Sequence, residues 1–115
     1  MARLKNKRPL TKEDARTLDE AASIFKALCE PTRIKILHAL GAGGACVHEL
    51  CARVGMSQPA VSHQLRVLRV QRLVSARRNG REIFYSVADE HVLALVEAAR
   101  QHAAHLQRRR EAERA

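Results

Sequence analysis

Apolar positions recur at steps of three and four from Leu18 onward, and the breaks between these runs divide the chain into helices. Leu18, Ala21, Ala22, Phe25 and Leu28 form one stripe at helical spacing, which predicts a helix from near Thr11 to about Cys29. Glu30-Pro31 interrupts it. Pro31 suits the first turn of a second helix, in which Ile34, Leu37 and Leu40 make the next buried face before Gly41-Ala42-Gly43-Gly44 ends it. A short helix from Cys46 to Val54 follows, then a turn at Gly55-Met56, then Ser57 as N-cap of a helix from Gln58 to about Val70. In that last helix Val61, Leu65 and Leu68 must face inward, which leaves Gln58, Ser62, His63, Arg66 and Arg69 on polar faces.

Beyond Leu73 the period changes from helical to alternating. The stretches Leu73 to Arg77 and Ile83 to Val87 flank Arg78-Asn79-Gly80-Arg81, and Asn-Gly marks a hairpin turn because both residues tolerate positive φ. From Asp89 on, Val92, Leu93, Leu95, Val96, Ala99 and Ala103 mark a final helix that frays into the charged tail Arg108-Arg109-Arg110-Glu111-Ala112-Glu113-Arg114. Two helices joined by a tight glycine turn and followed by a basic hairpin describe a winged helix-turn-helix, mainly α with a β-hairpin wing, an α+β fold. Residues 1–10 are basic, aperiodic and contain Pro9, so they read as a flexible arm. Residues 11–106 form the domain and 107–115 a charged C-terminal tail.

Composition narrows what such a domain can bind. At 115 residues there is room for one modest core. Lys and Arg outnumber Asp and Glu 21 to 12, a formal charge of +9 that suits a polyanion. With no Trp, one Tyr and two Phe there is no stacking platform for single strands, so duplex DNA is the expected partner. No apolar run approaches the roughly 20 residues needed to cross a bilayer, and the N-terminus lacks a signal-like apolar stretch; a cytoplasmic protein is expected. Cys29, Cys46 and Cys51 are odd in number and read as reduced thiols, mostly small buried hydrophobes.

On the second helix of the turn, Gln58 and Gln64 have the chemistry to pair with adenine edges and Arg66 with guanine or phosphate, while Ser57, Ser62 and His63 suit either base or phosphate. Arg77, Arg78 and Arg81 on the wing would reach phosphates or a narrow minor groove.

Three of the six histidines cluster with Asp89 on the last helix, as Asp89-x-His91 and His102-x-x-His105. The 11-residue step from His91 to His102 returns to nearly the same helix face, but at a rise of about 1.5 Å per residue the two lie roughly 16 Å apart. One chain cannot close a site with all four. If two last helices pack antiparallel across a two-fold, Asp89 and His91 can meet His102 and His105 of the partner subunit, giving two identical sites. Imidazole and carboxylate donors suit Zn(II) or Co(II) and suit soft ions poorly. Ordinary exposed helix histidines are the alternative.

The segments Ala27-Leu28-Cys29-Glu30-Pro31-Thr32-Arg33, Ile34-Lys35-Ile36-Leu37 and Gln58-Pro59-Ala60-Val61-Ser62-His63-Gln64-Leu65, with Gly80-Arg81 and Tyr85, resemble the ArsR/SmtB family of bacterial metal-responsive repressors. The likeness runs from about Leu18 to His105. It implies a homodimer built on the first and last helices that leaves its operator on binding an inducer. It also implies that the Asp89, His91, His102, His105 set is the family's last-helix metal site, in the zinc- and cobalt-sensing branch. Nickel ranks behind, because nickel-sensing relatives add ligands from the termini and neither end here offers His or Cys. In similar sensors a ligand histidine is tied by its second ring nitrogen to backbone just after the recognition helix, which makes His102 the candidate, with the backbone near Arg72. The family's other site, a Cys-x-Cys before the turn, is degenerate here; Cys46 and His48 remain as a secondary pair able to hold a metal weakly. A regulator of the same fold with another inducer, or an architectural DNA-binding protein, is the alternative function. A zinc enzyme is disfavoured, since four ligands leave no open position and no organic substrate is implied.

Overall fold

A computed structural model describes residues 8–114; the first seven residues of the predicted N-terminal arm lie outside the described residues. The order is α1 (Lys12–Leu28), α2 (Pro31–Leu40), β1 (Ala45–Cys46), α3 (Val47–Val54), α4 (Gln58–Val70), β2 (Val74–Asn79), β3 (Glu82–Val87) and α5 (Glu90–Arg114). Local chemistry sets most boundaries. Thr11 and Asp14 exchange side-chain and backbone hydrogen bonds at 2.9 and 3.0 Å, a capping box that starts α1. Glu30 caps α2 by accepting from the backbone N–H groups of Thr32 and Arg33, both at 3.3 Å, with Pro31 in the first turn. Gly55 ends α3 at φ 70°, and Ser57 Oγ accepts from the N–H of Ala60 to open α4.

Helix α4 ends in a Schellman motif, with the N–H of Leu73 donating to the carbonyl of Leu68 at 2.9 Å and that of Arg72 to Arg69 at 3.0 Å. The left-handed position falls on Arg72 at φ 60°, where glycine is the usual occupant. That backbone costs an L-residue about 1–2 kcal/mol. Val61, Leu65 and Leu68 are fully buried against Ile36, Leu37, Leu40 and Leu50, as their spacing requires. Each side chain of this size contributes about 1.5–3 kcal/mol on burial.

The structure amends four expectations. The wing is part of a three-stranded antiparallel sheet in the order β1-β3-β2, because Ala45 and Cys46 pair with Tyr85 and Phe84. Cys46 therefore belongs to a strand and caps α3, which begins at Val47. Two residues carry no alternation for a sequence pattern to register. The hairpin turn sits one residue later than Asn-Gly suggests: Asn79 pairs with Glu82 in the ladder, and Gly80-Arg81 make the two-residue turn with positive φ at Gly80 alone, the II′ pattern. Helix α5 continues to Arg114 without fraying, its exposed charged end needing no tertiary support to satisfy its backbone.

The fourth concerns the apolar stripes of α1 and α2. Only Ala27 and Leu28 of α1 are buried, while Leu18, Phe25 and Ile34 are 53%, 57% and 39% exposed. Helical period identifies an apolar face but not what covers it. Here that face stays open within the protomer, and Phe25, Leu28 and Ile34 join Leu95, Val96 and Ala99 of α5 around an apolar groove of about 270 Å³.

Candidate DNA interface and metal residues

Helices α3 and α4, joined at Gly55-Met56, place α4 beside the wing. Between them lies a cleft of about 500 Å³, walled by Gln58, Ser62, Arg66 and Arg69 of α4, by Arg81, Glu82, Ile83 and Tyr85 of the wing, and by Cys46, Val47 and His48 at the start of α3. The α4 residues are spaced four, four and three apart, so they form one stripe. Three arginines against one glutamate make the cleft cationic. A groove of this charge between a helix and a hairpin is suited to a duplex whose major groove receives the helix and whose backbone runs along the wing.

The expected DNA residues do not all converge there. Gln58, Ser62, Arg66 and Arg81 line the cleft; Ser57 caps α4 from its exposed N-terminus and His63 is exposed outside the cleft. Gln64 lies two residues from Ser62, about 160° round the helix. Its Oε1 accepts from Arg33 Nε at 2.9 Å, on the side of α4 turned towards α2. On the wing, the Arg77 guanidinium stands 5.6 Å from the centroid of the Phe84 ring, its cross-strand neighbour, and Arg78 donates to the carbonyl of Gly80 at 3.4 Å. Arg69, His48 and Tyr85 are cleft residues that sequence reading did not assign to the interface. The spacing of Arg69 from Arg66 and Ser62 was a usable signal for the first; only the β1–β3 pairing brings in the other two.

The α5 residues fall into two groups. Asp89 Oδ1 accepts from the N–H groups of His91 and Val92 at 2.8 and 3.2 Å, capping α5, and lies 3.3 Å from His91 Nδ1. Three turns on, the rings of His102 and His105 stack with centroids 6.2 Å apart. Both groups are exposed. Among the described residues no three potential ligands come together in one protomer, neither on α5 nor around Cys46 and His48. Cys46 is 7% exposed and its N–H donates to Glu49 Oε1 at 3.1 Å. That hydrogen bond holds the Glu49 carboxyl below its ordinary value of 4.5. On the side of α5 that faces α2, Glu97 is bonded to Arg100, which lowers the Glu97 carboxyl in the same way, and it lies 3.7 Å from His38 of α2.

Sheet, turn and cationic cleft together define a DNA-binding winged helix-turn-helix protein. Residues 30–76 match the family model described as "Bacterial regulatory protein, arsR family". The chain is 46% identical over 89 residues to a transcriptional repressor SmtB homolog of Synechocystis sp., covering 75% of this chain and 67% of that one. It is 44% identical over 99 residues to the HTH-type transcriptional regulator NmtR of Mycobacterium tuberculosis, covering 86% and 82%. Among solved structures, the antimony-specific transcriptional repressor AntR superposes with a TM-score of 0.77 at 36% identity, covering 91% of this chain and 93% of that one. A homodimeric winged helix-turn-helix DNA-binding domain from Mycobacterium bovis gives 0.75 at 32% identity, covering 86% and 93%. This chain belongs to the ArsR/SmtB family of transcriptional repressors, DNA-binding regulators rather than enzymes. Among the described residues no helix is long and apolar enough to cross a membrane.

Proposed function

We propose that this protein is a homodimeric, cytoplasmic repressor that leaves its operator when Zn(II) or Co(II) binds between the last helices of two subunits. The observation that carries this is the pairing of two incomplete ligand groups on one long helix. Asp89 and His91 stand at the start of α5, and His102 and His105 lie on nearly the same face of it, too far along to complete the set in one protomer. Antiparallel packing of two such helices would bring the groups together twice. The open apolar groove between α1 and α5 gives that packing a surface to bury. All four side chains are exposed, and Asp89 has a second carboxylate oxygen beyond the one that caps the helix.

The donor set is nitrogen and oxygen, which fits a borderline divalent ion; a bound ion would supply a cross-link between subunits, fixing their relative angle. AntR is specific for antimony, a softer element, so likeness of fold does not carry over the choice of metal. The exposed residues Ser57, Gln58, His63, Arg66 and Arg81, with the half-buried Ser62, would contact operator DNA, with Arg77 and Arg78 reaching it once released from Phe84 and the turn. Because Asp89 already works as a helix cap, a regulator with another inducer is the second reading.

The test uses a duplex selected by the metal-free protein from a random pool and read by fluorescence anisotropy. Zn(II) or Co(II) should weaken binding, and DNA should weaken metal binding by the same factor. A variant with both His102→Ala and His105→Ala should keep metal-free affinity and lose the response. Unchanged affinity at saturating metal would overturn metal sensing and leave DNA binding standing.

A further inference from the structure

Arg33 reaches two helices from a third. From the first turn of α2, its Nη1 donates to the carbonyl of Ala27 in the last turn of α1 at 3.0 Å, and its Nε donates to Gln64 Oε1 in the middle of α4 at 2.9 Å. The Ala27 carbonyl is among the last four of its helix, which have no partner within the helix. Arg33 is itself held, since its backbone N–H donates to Glu30 Oε2 at 3.3 Å. Beside it an open cleft of about 430 Å³ runs between Ser23 and Lys26 of α1 and Val67 of α4 with its C-cap Gln71. Helix α4 is therefore spaced from α1 and braced to it through this guanidinium.

We propose that Arg33 is a positioning residue for DNA binding, a strut that fixes the recognition helix against α1, with Gln64 as its receiving end and not as a reader of bases. The inference rests on the DNA-binding reading above. A planar guanidinium presents donors at fixed angles to both partners, which an ammonium cannot do. Fixing α4 in advance removes ordering that operator binding would otherwise require.

Anisotropy with the selected duplex tests this on Gln64→Glu, Gln64→Leu, Arg33→Met, Arg33→Lys and the double variant Arg33→Met/Gln64→Leu, each checked for folding by thermal melting. Gln64→Glu should bind the operator within about threefold of wild type, because a carboxylate accepts from Arg33 at least as well as the amide. Gln64→Leu and Arg33→Met should each lose roughly tenfold, the scale of one hydrogen bond to a charged group, and the double variant should lose no more than either. Arg33→Lys should recover only part of that loss. Operator affinity should fall more than affinity for random duplex, and the salt slope should stay constant because no phosphate contact is removed. A tenfold loss in Gln64→Glu, as a new carboxylate facing DNA would cause, overturns the strut, and so do additive losses in the double variant. If Arg33→Met does not fold, the Gln64 variants and Arg33→Lys decide the question alone. A wild-type chain that selects no duplex overturns the DNA-binding reading and the inference with it.

Discussion

Replacing Gly44 with Ala places a methyl group where the fold has no room for one. Gly44 stands at φ +73°, and a Cβ there would lie 2.6 Å from Phe84 Cε2 and 2.6 Å from the carbonyl oxygen of Tyr85. Neither yields cheaply. The Tyr85 carbonyl belongs to the central strand, paired with Ala45 on one side and Ala76 on the other, and Phe84 carries the Arg77 guanidinium on its face. The left-handed backbone costs an alanine about 1–2 kcal/mol, and overpacking adds about 1–3 kcal/mol. Together they remove about 2–5 kcal/mol from a total that is typically about 5–15 kcal/mol. Gly55→Ala is the matched control: φ is +70° but nothing lies within 4 Å, so only the backbone cost applies. Urea unfolding at fixed protein concentration, with m unchanged, should rank Gly44→Ala well below Gly55→Ala. Gly44→Ala should also weaken DNA binding, since shifting β3 moves Tyr85 in the cleft. Equal losses for the two variants, within about 0.5 kcal/mol, the usual error of such comparisons, would refute the close-approach argument.

Glu49 and Glu97 both titrate below the ordinary value of 4.5 in the folded chain, so each stabilises fully above that value and loses its contribution as pH falls below it. Glu49→Gln should be less stable than wild type at neutral pH and should converge with it on acidification, as followed by circular dichroism melts from pH 7 to 3. Arg69→Ala and Arg81→Ala should each reduce the slope of log affinity against log salt by about 0.9 if each arginine holds one phosphate, with little change in sequence preference; an unchanged slope removes that residue from the interface. Phe25→Glu puts a charge on the exposed apolar stripe of α1 and should shift a dimer towards monomer in sedimentation equilibrium while the protomer stays folded.

The turn between α3 and α4 was legible because each part has a local cause: Gly55 for the left-handed stop, Ser57 for the cap, and Val61, Leu65 and Leu68 for the buried stripe. What the sequence hid depends on partners distant along the chain. Strand β1 exists only because Phe84 and Tyr85 arrive beside Ala45 and Cys46. The orientation of Gln64 follows from a residue 31 positions away. Apolar period also marked faces at Leu18, Phe25 and Ile34 that one chain alone leaves open, since period says that a face avoids water without saying which surface will cover it. The donor types on α5 were legible in the same way, but a chain read alone cannot show a site that needs two.

The Cα frame measures 54 × 48 × 21 Å. Its short dimension is less than half of either other, and the largest fully buried side chains, Ile36, Leu37, Leu40, Leu50, Val61, Leu65 and Leu68, all come from α2, α3 and α4. A bulkier residue at any of these positions would overpack the contact between α2, α3 and α4, so its strain should pass directly to the side chains that α4 presents to the cleft.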